Sequence, residues 1–251
     1  MIKNYKQLAA SKKRKVVLDI INKVFEENKT EKIIKNTIRM KNSFLIIKNN
    51  KINLRKYKNT YLIGFGKSSA RMAAEIEKIL PVREGYVNCI EKVKTKRTKI
   101  TIAGHPYPNE NTLLGTEKII SLLKKAKKDD LVVCCISGGG SALLEKPVKG
   151  ISLQQLIERN KQLIRSGKSI YEINKERIEM SQVKGGKLAK MTKAAIVSLI
   201  FSDVVENDIK TIASGPTAIK RKNVRNIILA SSQNIINIVK KDCDKRKLKF
   251  N

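Results

Sequence analysis

Long apolar runs are missing from this 251-residue chain. No stretch approaches the roughly 18 residues that a membrane-spanning helix needs. The amino-terminal MIKNYKQLAASKKRK is polar throughout and holds no apolar signal-peptide core. The expectation is a soluble, cytoplasmic protein without a membrane partner. Cysteine is sparse, with four residues. Cys134 and Cys135 are adjacent in an apolar run, so as strand neighbours they point to opposite faces and cannot pair normally, while Cys89 and Cys243 are isolated. That argues against a disulfide framework and for a reducing compartment. Aromatic residues make up 4% of the chain, too few for a base-stacking surface. Acidic residues are outnumbered, 22 against 54 Lys plus Arg, leaving a net charge of +32. Such an excess on its own points towards nucleic acid. Apart from the short runs Lys12 to Lys15 and Lys94 to Lys99, however, the cations are spread over nearly every polar face. They read as solvated surface, with nucleic acid disfavoured as a partner and a polyanion-binding role kept as the lesser alternative.

What the chain does have is a globular balance, 41% apolar with 30% charged. Its length can bury a large core in one big or two small domains. The organising stretch is Leu131 to Leu144, LVVCCISGGGSALL. A short unbroken apolar run rich in β-branched residues reads as a strand buried on both faces, as in a parallel sheet. Ser137-Gly138-Gly139-Gly140-Ser141 follows directly. Glycines there allow φ > 0 and close approach of a ligand, and a helix starting at Ser141 would aim its free N–H groups at the same spot. Ligands bind at the carboxyl ends of strands in open α/β sheets, so the loop is a candidate phosphate or carboxylate cradle.

The same logic picks out Tyr61 to Ser69, YLIGFGKSS, as a strand, then the Gly64 to Lys67 turn, then a helix carrying Met72, Ala73, Ile76, Ile79 and Leu80. The Gly66-Lys67-Ser68 ending is not a Walker A loop, because Tyr61 stands where that motif needs its first glycine. What remains is a glycine turn with Lys67 at its tip: either a cation placed to stabilise a transferring phosphoryl group or one more surface lysine. Gly85 to Ile90 and Lys99 to Ala103 read as further strands. The second runs into Gly104-His105-Pro106-Tyr107-Pro108, a rigid loop holding the chain's one histidine. A ligand-loop or bracing role is expected for His105 rather than chemistry. Ala194 to Phe201 is another buried strand, ending at Ser202-Asp203. Asp203 could bind Mg²⁺, take a hydroxyl proton, or cap a turn.

Elsewhere the reading is architectural. Val17 to Phe25 have helical spacing within residues 10–27. Ile33 to Met40 suggests a short helix, Phe44 to Ile47 a strand, and Ser152 caps a helix closed by Gly167. Val224, Ile228, Ile235 and Ile238 suggest a final amphipathic helix. The polar, basic residues 240–251 are expected to form a linker or frayed tail.

The segments GFGKSSARMA, AGHPYPNEN, LVVCCISGGGSALLEKP, SQVKGGKLA and IASGPT, in this order, resemble the amino-terminal domain of the glycerate 2-kinase family over nearly the whole chain. The resemblance implies an α/β fold, a three-layer Rossmann-like doubly wound and mostly parallel sheet with helices on both faces. It implies ATP- and Mg²⁺-dependent transfer of a phosphoryl group to the 2-hydroxyl of D-glycerate. Its catalytic residues fall on Lys67 and Asp203, with Asp203 also the metal ligand. The phosphate and substrate contacts fall on Gly66, Ser137, Gly138, Gly139, Gly140 and Ser141, with Arg177 and Lys184 as further charged groups facing the cradle. On this resemblance residues 1–239 are the amino-terminal domain and the family's second α/β domain is absent here: either the sequence is a fragment, or a separate chain provides that half, or the activity has been lost. The alternative is a catalytically inactive nucleotide- or sugar-acid-binding subunit. The chain departs from the family after Asp203, at Val205-Glu206-Asn207-Asp208.

Overall fold

Six of the chain's apolar segments line up side by side, all running the same way. The computed structural model describes residues 2–204 and 206–248. In chain order the elements are α1 (Tyr5–Leu8), α2 (Lys12–Glu27), α3 (Thr30–Thr37), β1 (Ile38–Lys41), β2 (Phe44–Ile47), β3 (Asn50–Asn53), β4 (Thr60–Phe65), α4 (Ser69–Ile79), β5 (Glu84–Cys89) and β6 (Thr98–Ile102). These lead to α5 (Glu110–Lys125), β7 (Leu131–Ile136), α6 (Gly140–Leu143), α7 (Leu153–Arg165), α8 (Ile170–Glu179), α9 (Lys187–Lys190), β8 (Ala195–Phe201), β9 (Val224–Ala230) and α10 (Ser232–Lys245). The main sheet has the order β6-β5-β4-β7-β8-β9 and every pairing in it is parallel.

That order doubles back at β4 and β7, and right-handed crossovers explain the layering. The chain moves outward from β4 with α4 on one face, then returns from β6 with α5 on the other. Leu62, Val133, Cys135, Val197 and Leu199 pack with Met72, Ala73 and Ile76 on the first face. Ile63, Phe65, Val132, Cys134 and Ile196 pack with Ile119, Ile120 and Leu123 on the second. The two adjacent cysteines therefore serve opposite cores, as their strand positions require. All four cysteines are free and buried, and burial alone pushes the Cys135 thiol up to about 12. The fold is the expected doubly wound α/β sheet with helices on both faces. No helix among the described residues is long and apolar enough to cross a membrane.

Three local expectations are corrected. The helix expected over Ile33 to Met40 stops at Thr37, and Ile38–Lys41 pairs antiparallel with β2, which pairs in turn with β3. Strand pairing that buries Ile38, Leu45, Ile47 and Ile52 outweighs helical spacing in so short a segment. The final helix expected from Val224 is a parallel strand to Ala230 followed by a helix from Ser232, because Ser231 and Asn234 form a capping box at that break. Residues 240–245 of the expected tail continue α10, where Asp242 is held by Lys23 of α2 and by Arg246. Residues 249–251 of that expectation lie outside the described residues.

Candidate functional site

The reversal in strand order leaves a crevice between the carboxyl ends of β4 and β7, the place where open α/β sheets bind ligands. Both glycine loops arrive there and interlock. The Lys67 N–H donates to Gly138 O at 2.9 Å, and the Ser68 N–H donates to Ser137 Oγ at 2.9 Å. Gly66 has φ +124°, and a Cβ on it would run into the Ser137 backbone and hydroxyl. Only glycine tolerates both conditions, so Gly66 seals one loop against the other.

Three chemically capable side chains converge on the second loop. A Cβ on Gly138 would collide with the Asp203 carboxylate. A Cβ on Gly139, which has φ +81°, would lie 2.8 Å from His105 Nε2 and 3.3 Å from Lys67 Cγ. The glycines thus form a floor with Asp203 over one position and His105 and Lys67 over the next. Among the described residues the N–H groups of Gly138 and Gly139 donate to no other atom. Burial, and then the neighbouring Lys67 ammonium, hold the His105 imidazole below its ordinary value, so it is neutral at pH 7.

The helix-dipole part of the expected cradle is corrected. α6 is a single turn, so it offers no macrodipole to an anion. The flanking hydroxyls are also engaged within the protein. Ser137 is 2% exposed and caps Ser68, while Ser141 Oγ lies 3.0 Å from Ser214 Oγ, which donates to Asn174 Oδ1 at 2.8 Å. Gly140 is closed off, with Ala213 Cβ 2.7 Å from where its own Cβ would stand. Within Ser137–Ser141 the unpaired backbone donors among the described residues are those of Gly138 and Gly139, while Ser141 lines the neighbouring cleft.

Lys184 is corrected as well. It is 0% exposed, its ammonium is paired with Glu145, and it donates to Leu144 O at 3.1 Å. Glu145 also accepts from Ser181 Oγ at 2.5 Å. Burial pushes the Lys184 ammonium below its ordinary value and the Glu145 carboxylate opposes it. This closed, buried unit fixes the segment after α6 to the turn before α9. Its expected contact with a ligand is not available.

Arg177, on α8, does reach the surface of the site. With His105, Tyr107, Gly139, Ser141 and Asn160 it lines a cleft of about 260 Å³. Asn160 on α7 and Ser214 in the turn after β8 were not singled out from the sequence. Their signals were an asparagine interrupting the apolar stripe between Leu156 and Leu163, and a serine at the Gly-Pro turn. A larger cleft of about 430 Å³, lined by Lys51, Lys56, Lys222 and Arg225, sits at the amino-terminal edge of β8 and β9, away from both loops. The departure at Val205 lies outside the described residues.

A family model described as DUF4147, a domain of unknown function, matches residues 16–243. The chain is 38% identical over 208 residues to a Pyrococcus horikoshii protein named glycerate 2-kinase, covering 81% of this chain and 46% of that one. It is 34% identical over 211 residues to a Thermotoga maritima protein named D-glycerate 2-kinase, covering 81% and 47%. A crystal structure of a protein from Pyrococcus horikoshii OT3 superposes with a TM-score of 0.84 at 30% identity, covering 94% of this chain and 64% of that one. The chain spans about half the length of these curated relatives.

Proposed function

The chain belongs to the DUF4147 family, and from that premise we propose that it is the amino-terminal part of a glycerate 2-kinase, transferring a phosphoryl group from ATP to the 2-hydroxyl of D-glycerate. The observation that carries this reading is the convergence of Lys67, His105 and Asp203 on the Gly138–Gly139 floor. The relatives named glycerate 2-kinase support the substrate.

Phosphoryl transfer asks a protein mainly for positioning and electrostatic stabilisation. Lys67 sits at the tip of the β4 loop, where it stabilises the charge on the transferring group. The free N–H groups of Gly138 and Gly139 hold a phosphate oxygen against the loop, as nests of backbone donors do. Asp203 orients the attacking hydroxyl and accepts its proton.

Among the described residues no cluster of three or more His, Cys, Asp and Glu side chains is placed to hold a metal ion. The exposed Asp203 carboxylate makes no ion pair among the described residues. One free carboxylate beside a phosphate site fits Mg²⁺, which is commonly held by one or two carboxylates together with substrate phosphates. Bound there with the nucleotide, Mg²⁺ would neutralise phosphate charge. The remaining wall of the site comes from the half of the relatives that this chain does not span, on the same or on a separate chain.

The test is ³¹P NMR of ATP and D-glycerate with the purified protein, with and without a separately produced second half. Growth of the 2-phosphoglycerate signal is expected with the second half present, and little or none without it. No product under either condition, with retained binding of D-glycerate or ATP, would replace this reading by that of an inactive binding subunit.

A further inference from the structure

The cleft beside His105 contains a cation without a counter-ion. Arg177 Nε donates to Asn160 Oδ1 at 2.8 Å, and among the described residues its two terminal nitrogens make no hydrogen bond and no ion pair. Asn160 is 7% exposed and its amide is held in orientation, since Nδ2 donates to Leu156 O at 2.9 Å. The guanidinium is therefore aimed and not merely mobile. Glu145 is close enough to favour its charge, but that carboxylate is taken by Lys184 and Ser181.

A partly buried guanidinium left without a carboxylate is costly unless an anion arrives. Its free terminal nitrogens match a planar carboxylate bidentately. The cleft is bounded by the rigid His105–Pro108 loop, by Ile164 of α7, and by Gly139 and Ala142. At about 260 Å³ it falls below the roughly 300–1,000 Å³ of sites for drug-sized ligands, a size that suits a short acid. Gly139 is shared between this cleft and the floor beneath His105 and Lys67. The cleft therefore adjoins the reacting centre at Gly139.

We propose that Arg177, oriented by Asn160, reads the carboxylate of the acceptor and so restricts it to small 2-hydroxy acids. Asn160 is a positioning residue. The inference rests on the kinase reading above for its reaction, but not for its binding chemistry.

Calorimetric titration of the intact chain with D-glycerate, D-lactate and glycerol tests it. Both acids are expected to bind and glycerol is not. Arg177→Gln is expected to weaken both acids at least tenfold. Arg177→Lys keeps the charge without the fork and should fall between, and Asn160→Ala should weaken acid binding several-fold without lowering the melting temperature. If Arg177→Gln fails to fold, the Arg177→Lys and Asn160→Ala affinities decide. Acid binding unchanged within twofold in these variants, or no binding of either acid to the wild type, overturns the inference. The two readings fail separately. Phosphorylation of D-glycerate with an unchanged KM in Arg177→Gln removes the carboxylate site and leaves the kinase. Arg177-dependent acid binding by an enzyme that never phosphorylates D-glycerate does the reverse.

Discussion

The carboxylate of Asp203 lies so close over the α-carbon of Gly138 that a methyl group on that carbon would collide with it. Residues 65 positions apart are thus brought into contact by two neighbouring strands, β7 and β8, ending at the same edge of the sheet. A substitution on one residue therefore acts through the other. Gly138 has no positive φ to protect, so Gly138→Ala meets only the Asp203 side chain, which is exposed and free to turn away. The expected stability loss is below about 1 kcal/mol. Displacement of Asp203 by about 1 Å should cost the active enzyme at least tenfold in kcat. Thermal melts and steady-state rates on the same preparation check this, and an unchanged kcat would detach Asp203 from the reaction.

Lys67 and Asp203 are both exposed, and neither forms an ion pair among the described residues, so their removal should leave the fold intact. Lys67→Ala and Asp203→Asn are each expected to lower kcat by about two orders of magnitude, the scale of losing one preorganised charge or proton acceptor. Circular dichroism controls for folding. Rates within twofold of wild type would end the catalytic assignment of that residue.

The single histidine makes one titration unambiguous. Burial, then Lys67, lower the His105 value, so in the free protein its ring should titrate below 6.5 by NMR. Lys67→Ala should move the titration upward. The sign for stability follows. Between the lowered folded value and 6.5 the unfolded chain binds the proton more readily than the fold, so this group weakens the fold as pH drops through that window. A titration above 6.5 would contradict the packing of His105 against Gly139 and Lys67.

Glu145→Ala strands the Lys184 ammonium in a fully buried position. The expected loss is about 3–5 kcal/mol, the usual result of removing one partner from a buried pair. Replacing both partners together, Lys184→Met with Glu145→Leu, should recover much of it, because two apolar groups leave no unpaired charge. Equilibrium urea unfolding of the wild type and the two variants reads this out. A double variant no better than the single one would show that the pair itself holds the loop.

Much of the fold is legible in the chain because the signals are local. Six consecutive apolar residues ending at glycines, Leu131 to Ile136, specify a buried parallel strand and the loop after it, and Tyr61 to Lys67 repeats the pattern. Ser152 announces its helix through capping chemistry that needs only the next three residues. What failed locally failed where a segment takes its conformation from a pairing strand, whether next in sequence or far from it. Ile38–Lys41 becomes a strand only because β2 is there to receive it, and Val224–Ala230 only because β8 is.

The site divides along the same line. Residue types at the ends of strands, Lys67, Gly138, Gly139 and Asp203, were readable because a parallel sheet puts every such end on one edge. Which of their neighbours remain free is a property of packing. Lys184 and Arg177 are both cations within one stretch of chain, seven residues apart, and sequence assigned them the same role. The folded chain folds the Lys184 side chain inward onto Glu145 and turns that of Arg177 outward onto Asn160 and the cleft. Only tertiary structure decides between them, because a charge is available to a ligand only where the fold has left it no partner.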